Sequence, residues 1–330
     1  MSVLLVFSCS GKKDIDKLNF LTKGNRAYAN NDLKEAIRFY DEALAKDSAF
    51  VDAWNNKGLA LLKQEKYDEA IFCFGRAIQY KPGYAEALLN NARANLAVHQ
   101  HFAALDNLHQ LGKLWPDTSL LPFTAGLVYA DMGKEGQALA AFRQSLQLDS
   151  TNAETLVNIA NIYYHRQQAD SALAYSKRAL QRDAGQPHAY NVLAMVYAGQ
   201  EKYAEALQAI NRAISFHKND PYFLNNKGYI LLKSGKLPEA EGYIVQSMKI
   251  DPYNAWVYRN MGLLRYLQGR YADASRLLAK AGQMDDTIEH IHVDLARAYY
   301  ATGDTVKACA TLALAGDDGE AKKLTKKICK

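Results

Sequence analysis

Ala36, Ala70, Ala104, Ala138, Ala172, Ala206, Ala240, Ala274 and Ala308 stand 34 residues apart, nine alanines in a row. Alanine fills roughly a tenth or less of an average chain, so chance does not give such a run. Twelve residues upstream of each lies another small residue: Gly24, Gly58, Ala92, Gly126, Ala160, Ala194, Gly228, Gly262 and Ala296. The register runs from Lys17 to Lys322 with no insertion or deletion. "WNNKGLALL" (Trp54–Leu62) and "LNNKGYILL" (Leu224–Leu232) are one phrase, five periods apart. A chain of 330 residues would otherwise suggest about two domains. An unbroken period argues instead for one array of identical supersecondary units.

Within a repeat the apolar spacing is helical. Tyr67, Ala70, Ile71, Phe74, Ala77 and Ile78 follow one another mostly at steps of three and four. Gln64-Glu65-Lys66 interrupts the pattern before them, and "YKPGY" (Tyr80–Tyr84) ends it, because Pro82 cannot continue a helix. Each repeat is therefore helix, short turn, helix, turn. Two such helices cannot bury both faces alone, and stacking on neighbours covers them. The small positions let the paired backbones approach closely.

The period, with small residues at positions 8 and 20 of the repeat, resembles the tetratricopeptide repeat. Large residues at position 24 (Tyr40, Phe74, Leu108, Phe142, Ile210, Ile244, Leu278, Leu312) fit it. So do small residues at position 27 (Ala43, Ala77, Ala179, Ala213, Ala281) and proline at position 32 (Pro82, Pro116, Pro252). Leu111, Ser176 and Lys218 depart from the pattern. The resemblance implies an all-α fold: a right-handed α-solenoid of nine helix-turn-helix repeats forming one superhelical domain over 17–322. Residues 1–16 form an N-terminal tether and 323–330 a basic C-terminal tail.

The resemblance also implies a concave groove lined by positions 2, 5, 6, 9, 12 and 13. Position 6 carries Asn56, Asn90, Asn158, Asn226 and Asn260. An asparagine amide both donates and accepts, as the backbone of an extended peptide does. These asparagines either hold a peptide or satisfy local backbone and water. Early repeats offer Leu59, Leu62, Leu89, Phe123 and Leu127. Late repeats offer Tyr222, Tyr229, Trp256, Arg259, Tyr266, Arg297 and Tyr300. Tyr, Trp and Arg are the types enriched in interface hot spots. On this reading Trp256→Ala with Arg259→Ala weakens partner capture and leaves melting near wild type. Some family members clamp a C-terminal carboxylate with Lys and Asn on one repeat, Asn on the next, and Lys and Arg on a third. Asn25 and Asn56 match two of those positions, but Glu86 and Asn90 stand where Lys and Arg should, which argues against a chaperone-tail receptor.

The net charge of +5 equals the five lysines of "KKLTKKICK" (Lys322–Lys330). The rest of the chain is near neutral, so no basic face for nucleic acid is expected. At the other end, "MSVLLVFSCSGKKDID" sets Cys9 after the apolar run Val3–Phe7, and resembles the end of a bacterial lipoprotein signal in which that cysteine is acylated. The short run without a basic start departs from such a signal. The stretch is either this signal, from a start placed too far downstream, or an unstructured stub. Ser10 resembles an outer-membrane sorting residue. Cys73, Cys309 and Cys329 fit no metal or redox spacing, and none has an evident partner.

No phosphate loop, dinucleotide fingerprint, HExxH or GxSxG occurs. His99, His101 and His109 cluster near the turn of the third repeat, but such spacing reaches one metal only in a particular fold. No catalytic residue, metal site or cofactor is expected. The chain reads as a non-catalytic scaffold that binds protein or peptide partners in the groove. It would be lipid-anchored at a bacterial outer membrane, facing periplasm or surface. The alternative is a soluble cytosolic adaptor or co-chaperone-like protein. Self-association through the terminal repeats is expected where the face after "HVDLARAYYATGDT" (His292–Thr305) is incompletely covered.

Overall fold

The small residues decide how the helices pair. Gly58 faces Phe74, and a Cβ at Gly58 would stand 2.5 Å from that ring. Gly24 meets Tyr40 and Gly126 meets Phe142 in the same way. All three aromatics at position 24 thus oppose a glycine at position 8. Where position 8 is alanine, position 24 is smaller: Leu108, Ser176, Ile210 and Leu312. A ring at position 24 thus needs a glycine opposite it, since a Cβ there would overlap the ring.

The computed structural model describes residues 7–316 and 318–329, with side chains from Asp14 onward. Every described residue lies in a helix, turn or irregular segment; none lies in a strand. The chain divides into two compact units, 1–155 and 156–330. Within each unit a repeat touches chiefly its neighbours in the chain.

The N-terminal unit contains α1 (Phe7–Ala29), α2 (Leu33–Lys46), α3 (Val51–Lys63), α4 (Tyr67–Tyr80), α5 (Ala85–Ala97), α6 (His101–Leu114), α7 (Leu120–Asp131) and α8 (Glu135–Leu148). Helix α9 (Ala153–His165) opens the fifth repeat. The C-terminal unit continues with α10 (Ala169–Arg182), α11 (Pro187–Gly199), α12 (Tyr203–Phe216), α13 (Pro221–Lys233) and α14 (Leu237–Ile250). It ends with α15 (Ala255–Leu267), α16 (Tyr271–Met284), α17 (Ile291–Ala301), α18 (Thr305–Leu312) and α19 (Gly319–Ile328).

All nine alanines at position 20 are fully buried. Ala138→Leu on α8 should overpack its joint with α7 and lower stability by about 1–3 kcal/mol. An unchanged denaturation midpoint would contradict that packing.

The turn inside each repeat has a fixed conformation. Position 15 has positive φ nine times: Asn31, Glu65, His99, Gly133, Gln167, Glu201, Gly235, Gly269 and Gly303. This is the left-handed residue that ends the first helix of a pair. Non-glycine residues strain there. Glu65 is exposed at φ 62. Glu65→Gly, read by the denaturation midpoint, should therefore raise stability by about 0.5–1 kcal/mol.

Helix α19 is the other departure. The tail at 323–330 does not stand apart from the last repeat. Ala321, Leu324 and Ile328 of α19 pack against Val293, Ala296, Ala308 and Leu312 of α17 and α18. Asp318 caps α19 by accepting from the backbone N–H of Glu320 and Ala321. Cys309 and Cys329 form a disulfide with Cα atoms 5.7 Å apart. The face expected to be left uncovered is thus closed by a basic but amphipathic helix.

Candidate functional site

The position-6 asparagines are engaged with the preceding repeat. Asn90 Nδ2 donates to Asn55 Oδ1 at 3.0 Å, Asn226 to Asn191 at 2.8 Å and Asn260 to Asn225 at 3.0 Å. Each pair is 35 residues apart and joins position 5 of one repeat to position 6 of the next. Asn56 donates to Asn25 at 2.9 Å. Asn226 and Asn260 are buried, Asn56, Asn90 and Asn158 half-buried. Asn56, Asn90, Asn226 and Asn260, expected to line the groove, thus tie each repeat to the one before it.

Arg259 occupies the same kind of tie in charged form. Its Nη2 and Nε donate to Asp294 Oδ2 at 2.9 and 3.2 Å, again across 35 residues. Arg259 is 9% exposed and Asp294 6%. Burial pushes the Asp294 carboxyl up, and Arg259 and Arg297 oppose that push. Arg259, expected to line the groove, is thus buried, with its charge paired inside the fold. Its guanidinium also lies 5.7 Å from the Trp256 ring and 5.9 Å from Tyr229.

Three of the aromatics expected in the groove stay open. Tyr222 on α13 is 46% exposed, Trp256 on α15 is 37% and Tyr300 on α17 is 47%. Tyr229 is half-buried. Tyr164 on α9 joins the same basin: burial pushes its phenol up, with Tyr229, Tyr222, Glu289 and Arg259 all near enough to act on it. Gln167 Nε2, in the turn after α9, donates to Glu289 Oε1, just before α17, at 2.8 Å. The C-terminal unit thus curls until its fifth and ninth repeats touch, with the aromatic basin between them.

Two predicted residues lie elsewhere. Tyr266 packs against Tyr271 at 5.2 Å and joins the core around Leu278. Arg297 turns to the terminal helix and meets Glu320 at 2.9 Å. Their positions 12 and 9 face a groove in the resemblance, but local partners claim both side chains. Tyr164 and Glu289 were missed, since nothing in their spacing links the fifth repeat to the ninth. Val3–Val6 of the signal-like segment lies outside the described residues, as does the Cys9 side chain. Cys73 is buried, which pushes its thiol up to about 11 and leaves it unreactive.

Comparison with known proteins agrees with the repeat. Models described as Tetratricopeptide repeat match residues 51–84, 123–152, 151–219, 190–255 and 265–324, and one described as TPR repeat matches 24–65. The chain is a tetratricopeptide repeat protein. It is 43% identical over 56 residues to Protein STIP1 homolog of Dictyostelium discoideum, covering 17% of this chain and 10% of that one. It is 28% identical over 110 residues to mouse Sperm-associated antigen 1, covering 33% and 12%. It is 30% identical over 95 residues to Serine/threonine-protein phosphatase T of Aspergillus oryzae, covering 29% and 20%. The matched stretches span a fifth or less of these relatives' own length. Among solved structures, the APC/C hetero-tetramer Cut9-Hcn1 superposes over 99% of this chain and 65% of that one, with TM-score 0.71 and 16% identity. Pseudomonas aeruginosa PilF superposes over 64% and 95%, with TM-score 0.52 and 17% identity. Both likenesses are of fold.

Proposed function

We propose that the chain is a non-catalytic scaffold whose C-terminal unit binds a protein or peptide partner on the basin formed by Tyr222, Tyr229, Trp256 and Tyr300. The observation that carries this reading is the exposure of Tyr222, Trp256 and Tyr300 on three successive first helices, α13, α15 and α17. Large rigid aromatics left open over a fixed base supply contact area at little entropic cost. Arg259 and Asp294 act as the base, holding two repeats in register beneath the contact surface. Trp256→Ala with Tyr222→Ala should abolish partner capture while lowering stability by about 1 kcal/mol or less. Loss of helicity in that variant would assign the rings to the core.

The scaffold is further proposed to be lipid-anchored through Cys9 at a bacterial outer membrane, facing periplasm or surface. The Cys309–Cys329 bond supports an oxidising compartment, since disulfides persist outside the reducing cytosol. It favours this location over the cytosolic adaptor. The test is the mass of the mature N-terminus from membrane-fractionated native cells, beside a Cys9→Ala control. Acyl chains on Cys9 support the anchor. An unmodified chain starting at Met1 in the soluble fraction would return it to the cytosol.

A further inference from the structure

The turn of the third repeat carries a convergence that the scaffold reading does not use. His99 Nδ1 lies 2.7 Å from Asp131 Oδ2, and His101 Nε2 lies 2.6 Å from the same oxygen. One ligand atom from each of the three residues falls within 4.8 Å of the other two. His99 is the left-handed residue of the turn, at φ 56. His101 is the first residue of α6, and Asp131 is the last residue of α7 in the next repeat. All three belong to the N-terminal unit, away from the aromatic basin.

We infer that His99, His101 and Asp131 form a binding site for a borderline divalent transition ion, zinc foremost. The expectation of no metal site is revised by this geometry, with Asp131, and not His109, as the third ligand. Two imidazoles and one carboxylate suit zinc, nickel or copper, whereas magnesium and calcium take oxygen. Zinc–nitrogen and zinc–oxygen bonds of about 2.0–2.2 Å set neighbouring ligand atoms about 3 Å apart. The two His–Asp spacings reach that by opening about half an ångström, which side-chain rotation supplies. Remaining coordination positions face solvent, because the His99 side chain is 74% exposed and Asp131 32%.

The arrangement belongs to this joint alone. The repeat supplies the same three positions wherever two repeats meet. At the other joints they read Asn31, Leu33 and Lys63; Glu65, Tyr67 and Ala97; or Gly235, Leu237 and Leu267, for example. No other joint places a metal-ligating residue at all three positions. A bound ion would join the turn of the third repeat to the first helix of the fourth. It would therefore stabilise the folded array by binding the native state.

The test uses the full chain made without a histidine tag, stripped with chelator and titrated with zinc chloride by calorimetry. One ion per chain is expected, with a rise in melting temperature on zinc addition and none on magnesium addition. His101→Gln and Asp131→Asn should each weaken binding at least tenfold and remove the melting shift. His109→Gln, on the same helix but outside the trio, should bind as wild type. Circular dichroism of each variant establishes that it is folded. Absence of binding in the wild-type chain would overturn the site. Unchanged affinity in both His101→Gln and Asp131→Asn would do the same, as would equal loss in His109→Gln.

Discussion

Arg259→Ala should cost about 3–5 kcal/mol, the largest loss expected from any single substitution described above. Arg259 and Asp294 are both nearly fully buried, and truncation leaves the Asp294 carboxylate inside the fold. Its remaining neighbours of opposite charge are Arg297, at 3.7 Å and engaged with Glu320, and His290. Unfolding of α15 and α17, followed by hydrogen exchange, should report the loss locally. Arg259→Asn combined with Asp294→Asn should restore most of it, because that pair rebuilds the asparagine tie found at Asn191–Asn226 and Asn225–Asn260. The deficit of Arg259→Ala should also depend on pH. Burial holds the Asp294 carboxyl above its ordinary range in the fold, so protonation favours the folded state. Arg259 opposes that rise, so its removal lifts the carboxyl further; the deficit should be full above the variant's value and shrink as pH falls from there to the wild-type value. A pH-independent loss would mean that the cost is one of packing, not of a stranded charge.

Cys329→Ser should lower the stability of the last repeat by about 3 kcal/mol, since the bond to Cys309 closes a span of 20 residues. The expected consequence extends beyond stability. Helix α19 covers the outer face of α17 and α18 through Ala321, Leu324 and Ile328. Releasing it exposes that apolar face, and a solenoid end without a cap stacks on another copy. The reduced or substituted chain should therefore form dimers or larger species by light scattering under conditions where the oxidised chain does not. A monomeric, undiminished Cys329→Ser chain would mean that α19 docks without the bond.

The repeat was legible because its signal is local and recurs nine times. Small residues at positions 8 and 20, with a large one at 24 in every repeat but the fifth, mark a recurring steric joint. The ties between repeats were harder to see. Asn226 and Asn191 are 35 residues apart, so a position-6 asparagine read within its own repeat looks unpartnered and free for a ligand. The pairing of Arg259 was hidden for the same reason: beside Trp256 and Tyr229 it has the composition of a hot spot, while Asp294 lies one repeat on. The terminal disulfide was hidden because the 34-residue register ends before Cys329. Only the geometry of α19 brings that cysteine to Cys309. His99, His101 and Asp131 show the intermediate case. The histidines stood out, but their third member comes from the next repeat.

The central claim is that partners bind the aromatic basin of the C-terminal unit. It is tested most directly by placing a photo-crosslinking amino acid at Tyr222 in native cells and, separately, at Tyr253. Tyr253 is 86% exposed and lies in the loop between α14 and α15. The account predicts discrete protein adducts from position 222, lost on adding Trp256→Ala, and none from position 253. Adducts of equal yield from both positions, or adducts from 253 alone, would contradict it.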